Sequence, residues 1–102
     1  MSSANETPLL DLLGAMTLES IEVSSLDPTE LMLVRIAALV AVDAPPVSYL
    51  TNLEAIASVG IDADRVRGVL AAVAPIVGTA RVASAIGKIG EALGVAIEEA
   101  TR

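Results

Sequence analysis

Two short strings, LDPTEL (26–31) and IDADRV (61–66), carry the same instruction twice. In each, an apolar residue precedes an Asp, and a second apolar residue stands four positions after that Asp. Such an Asp accepts an amide hydrogen left free in the first helical turn. The apolar pair, Leu26 with Leu31 or Ile61 with Val66, clasps across it. The first copy adds Pro28 at the first helical position and Glu30 at the third, where its side chain can return to the Asp27 amide.

Reading on from these starts sets out most of the chain. A helix from Pro28 is predicted to run to about Val42 and to end in the Asp43–Pro46 region, because residues before proline avoid the helical conformation. The next runs from about Pro46 to Val59, with Gly60 as a left-handed stop. A third begins after Asp62 and continues to about Val77, with Pro75 bending or ending its last turn. Gly78 and Thr79 restart the chain into a long helix over roughly residues 80–100. Upstream, Thr7 and Pro8 open a short helix, LLDLLGAM, and the weak alternation of TLESIEVSS (17–25) predicts an extended connector. The expectation is an all-α fold of about five helices, with residues 1–25 as a short helix and connector and 26–102 as one helical domain.

In the last helix Val82, Ile86, Ile89, Leu93 and Ile97 recur at near-heptad spacing. Beside them run Ala83, Gly87, Gly90 and Gly94. Glycine inside a helix costs about 1 kcal/mol relative to alanine, which is tolerable where another backbone comes close. The stripe is therefore read as a helix–helix contact, within the chain or between subunits.

Apolar residues, with glycine counted, make up about 60% of the 102 residues, against roughly 45–50% in ordinary soluble domains. A domain this small cannot hide that surface internally, so a homo-oligomer is expected. A membrane is the other outlet, but LMLVRIAALVAV (31–42) and GVLAAVAPIVGTA (68–80) fall short of the ~20 apolar residues a spanning helix needs. The N-terminal TPLLDLLGAM offers a small apolar handle for a membrane surface, which the net charge of −7 opposes at anionic lipid. With no Lys or Arg in its first ten residues the chain is expected to lack a secretory signal and to be cytoplasmic. The same charge, with scattered basic residues, argues against nucleic acid. The chain has no Cys and no His, which removes thiolate chemistry and the commonest base near neutral pH. No metal and no cofactor are expected.

The order of elements, LDPTELMLVRIAALVAVDAPP, an Ala-rich helix ending in Gly60, then IDADRVRGVLAAVAPIVGTARVASAIGKIGEALG, resembles the carboxymuconolactone decarboxylase family, which includes the alkylhydroperoxidase D-like proteins. The likeness covers about residues 26–94. It implies an all-α fold and a homo-oligomer, commonly a trimer or hexamer. In the peroxidase branch a Glu precedes a Cys-x-x-Cys-x-x-x-His relay. Matched from the capped helix, the Glu falls on Met32, the cysteines on Ala44 and Val47, and the His on Thr51. Matched back from Gly60, the last three fall on Pro45, Ser48 and Asn52. In both registers every member of the relay is replaced. The decarboxylase branch lacks the cysteines and keeps the His, and Thr51 or Asn52 offers no equivalent base. Enzymatic activity of either type is not expected.

The residual pocket that the resemblance implies comprises Met32, Arg35, Ser48, Tyr49, Thr51 and Asn52. Tyr49, the sole aromatic residue, reads first as a packing residue with its hydroxyl at an edge, and second as a group that orients a ligand carbonyl. Ser48, Thr51 and Asn52 read as surface or capping polar residues. Asp62 and Asp64 read as a cap and a first-turn acid in preference to a cation site, Thr79 to Arg81 as a helix start in preference to an anion site, and Arg35 as half of a structural ion pair. The leading expectation is a non-catalytic, homo-oligomeric structural or partner-binding protein. The alternative is a small-ligand-binding protein, or a cofactor-free lyase or isomerase, that reuses Arg35, Ser48, Tyr49 and Asn52.

Overall fold

The computed structural model describes residues 3–100, and among these every regular element is helical: α1 (Ser3–Val23), α2 (Pro28–Ala41), α3 (Pro46–Ser58), α4 (Ala63–Val77) and α5 (Thr79–Ala100). Among the described residues no helix is long and apolar enough to cross a membrane.

The capping signals act as their chemistry requires. The Asp27 carboxylate accepts from the Glu30 amide at 2.9 Å while the Glu30 carboxylate accepts from the Asp27 amide at 3.1 Å. Asp62 accepts from the Arg65 amide at 3.0 Å, and Ile61 and Val66 meet in the same apolar cluster. Gly60 closes α3 at φ 80°, which lets the Ile61 amide reach back to the Ile56 carbonyl. The same turn ends α2, but there Asp43 takes the left-handed position at φ 55°, and the Ala44 amide bonds to the Leu39 carbonyl.

Met32, Ile36 and Val40 recur every four residues along α2 and form the spine of the core. Met32 and Ile36 pack with Ile56 and Ile61. Val40 meets Leu70 and Ala85. Ala44, Tyr49 and Ala92 close the far end. Helix α2 thus lies against α3, α4 and α5, with α5 packed on α3 and α4.

Two sequence expectations need correction. Residues 17–23 are helical, the continuation of α1, and not an extended connector. The Leu-rich run before them nucleates a helix that propagates, and the Thr17 and Ser20 hydroxyls donate to the Leu13 and Thr17 carbonyls instead of opening the backbone. The same helix starts at Ser3, ahead of the expected cap at Thr7, so Pro8 lies inside it and removes one ladder bond. On α5 only part of the near-heptad apolar row packs inward. Ala85 and Ala92 are the buried residues of that helix, flanked by Val82 and Ile89, while Ile86 is 57% exposed and Leu93 46%. Close helix packing selects the small side chains for the seam and leaves the larger ones at its edge.

Helix α1 stands outside this bundle. Eight large apolar side chains between Leu9 and Val23 are 47% to 84% exposed. The molecule exposes 6833 Å², whereas a compact chain of its 10.4 kDa mass exposes about 5400 Å². Its radius of gyration, 14.9 Å, likewise exceeds the roughly 12.8 Å of a compact domain of this length.

Candidate functional site

Three places gather polar or uncovered groups, and the residues of the expected pocket are divided among them. The first lies where the α2–α3 turn meets α5. Asp43 is held in a conformation that costs a non-glycine residue roughly 1–2 kcal/mol, and α5 provides its restraints. The Ser84 hydroxyl donates to the Asp43 carboxylate at 2.7 Å, and the Lys88 ammonium lies 3.0 Å from the same oxygen and 3.3 Å from the Asp43 carbonyl. One turn back, the Arg81 guanidinium donates to the Ala41 carbonyl. The Ser84 hydrogen bond, then that of Lys88, holds the Asp43 carboxyl below its ordinary range. The chemistry of the trio is that of a clamp on the end of α2.

The second place is a shallow pocket of about 500 Å³ between α1, α2 and α3, lined by Met16, Thr17, Ser20, Arg35, Thr51 and Asn52 among others. Among the described residues Arg35 forms no ion pair. Its guanidinium donates to the Thr17 carbonyl and the Ser20 hydroxyl, so it fastens the C-terminal half of α1 to the bundle. Thr51 and Asn52 both donate to the Ser48 carbonyl, and these bonds leave their side chains turned to their own helix. Of the six expected pocket residues, Arg35, Thr51 and Asn52 line this depression and Met32, Ser48 and Tyr49 do not. Met32 is sealed in the core.

The third place is a groove of about 860 Å³ lined mainly by aliphatic side chains of α3, α4 and α5. Leu50 and Leu53 form one wall, Val66 and Leu70 another, and Ile86, Ile89 and Leu93 the third. Tyr49 lies at its base, 2% exposed, and its hydroxyl is buried with no hydrogen-bond partner among the described residues. Burial, then the charge of Asp43, pushes the phenol above its ordinary pKa, so it stays a neutral donor.

The glycine stripe bears on the same face. A Cβ placed on Gly87, Gly90 or Gly94 meets nothing within 4 Å. No neighbouring backbone of this chain accounts for these glycines, and Gly90 itself lines the groove. Asp62 is engaged as a cap and Asp64 pairs with Arg67 at 3.5 Å. No group of three or more metal-ligating side chains occurs among the described residues.

Sequence reading missed Asp43, Ser84 and Lys88, although a signal was present. Ser84 and the sole lysine, Lys88, are four residues apart on one helix, which places both on one face. The groove had no such signal, because its three walls come from separate helices. No protein-family model, no curated protein and no solved structure matches the chain.

Proposed function

We propose that this chain is a divergent, non-catalytic member of the carboxymuconolactone decarboxylase family that works as a homo-oligomeric structural or partner-binding protein. The observation that carries the reading is the surface excess. Roughly 1400 Å² beyond the compact expectation is exposed, and much of it is aliphatic side chain on α1 and in the groove. A standard interface takes about 800 Å² from each partner, so this excess is ample for association. The absence of a relay points the same way: Met32, Ala44, Val47 and Thr51, or Pro45, Ser48 and Asn52 in the other register, provide no thiolate and no base. The family's trimer or hexamer is the assembly proposed.

The unpartnered Tyr49 hydroxyl favours a second reading, a small-ligand-binding protein whose ligand is mostly apolar with one acceptor. Native mass spectrometry of protein taken gently from its host separates the two. A homo-oligomer whose mass is a whole multiple of the chain supports the structural reading. A reproducible extra mass lost on denaturation supports the ligand reading, and a clean monomer at micromolar concentration defeats the first.

A further inference from the structure

We propose that the apolar groove between α3, α4 and α5 receives helix α1 of a second copy of this chain. The inference rests on the homo-oligomeric reading above and names the surfaces that meet. The chain carries two uncovered apolar surfaces of opposite shape, a projecting helix and a groove, and neither covers the other within one molecule. Arg35 holds Thr17 and Ser20 beside α2, and no residue of α1 lines its own groove. The helix that fills it therefore comes from another copy.

Area fits that occupant. The roughly 1400 Å² excess exceeds what a standard interface takes from one partner, and a cyclic exchange, in which each copy gives its helix to one neighbour and its groove to another, uses both surfaces on every copy. Between Leu9 and Val23, α1 carries Asp11, Glu19 and Glu22 and no cation. The groove's lining holds one cation, Arg67, beside the carboxylates of Glu54 and Asp62, so the acids of α1 belong at the Arg67 end. The open glycines at 87, 90 and 94 let an incoming backbone approach α5 more closely than alanines would.

The chain's lack of cysteine makes the test direct. Two differently tagged full-length copies, one Leu12→Cys and one Leu93→Cys, are co-expressed and treated with a short bis-thiol cross-linker, while light scattering records the particle mass. The expected result is an oligomer in which the two tags become linked at least tenfold more than when Leu93→Cys is replaced by Ala72→Cys, a site outside the groove. An oligomer with no such preference overturns this inference and leaves the homo-oligomeric reading standing. A monomer overturns both. Leu9→Glu with Leu13→Glu, both on the exposed helix and outside the folded core, is expected to release subunits with helical content retained. An unchanged oligomer in that variant also counts against the exchange.

Discussion

Replacing Tyr49 by Phe removes one oxygen atom from the interior and nothing else. The ring stays against Leu39, Leu50, Leu53 and Ile89, so no cavity opens. What changes is the hydroxyl, which is buried without a partner among the described residues. A buried polar group left unpaired costs about 1–3 kcal/mol. Tyr49→Phe is therefore expected to stabilise the fold by on the order of 1 kcal/mol, which raises Tm by roughly 4–8 °C in a domain of this size. Thermal and urea melts followed by circular dichroism measure this, at one fixed protein concentration because assembly couples Tm to concentration. The urea slope should not move, since the surface exposed on unfolding is the same. Tyr49→Ala, which does open a cavity, should lose about 3–5 kcal/mol. A loss of 1 kcal/mol or more in Tyr49→Phe would refute the reasoning, because the hydroxyl must then have a partner from a bound ligand, a water or another subunit. That result would move the weight to the ligand-binding reading.

Three further expectations follow from the caps, the clamp and the glycines. Asp27→Ala removes the side-chain acceptor of the Glu30 amide, leaving the backbone bond to the Glu30 carboxylate, and should cost about 1 kcal/mol in a urea melt. Asp43→Asn keeps a residue that tolerates the left-handed turn but removes the charge facing Lys88, and should lower Tm at neutral pH. The folded-state pKa of Asp43 is depressed, so its contribution is present above the unfolded value near 3.8 and fades as pH falls through the lower folded value. The gap between Asp43→Asn and the parent should close over that acid range, and a gap constant with pH would contradict the clamp. Gly90→Ala meets no atom of its own chain, so it should stabilise the isolated subunit by up to about 1 kcal/mol. If instead it weakens the assembly in a dilution series, a second backbone lies against that stripe.

The parts of the fold that were legible in the sequence are those decided within one helical turn. Asp27 with Glu30, Asp62, and Gly60 fix the ends of α2, α3 and α4 through bonds spanning three to five residues, and they could be read one by one. The continuation of α1 through Thr17 to Val23 was not legible, because β-branched residues weaken a helix only slightly and cooperativity overrode them. The seam of α5 was not legible either, because hydrophobicity ranks Ile86 and Leu93 above Ala85 and Ala92. The seam needs small residues, a requirement set by the partner helix. The site was the least legible part. The bonds from Asp43 to Ser84 and Lys88 span 41 and 45 residues, and Arg35 finds its partners on a helix whose position depends on tertiary packing.

The central claim is that the uncovered apolar surface of α1 and the groove is buried between copies of the chain. Sedimentation velocity across a dilution series from tens of micromolar to below one micromolar tests it most directly. The account expects a particle at a whole multiple of the 10.4 kDa chain mass that persists at micromolar concentration. A single species at the monomer mass, with the helical content of the folded chain retained throughout, would contradict it.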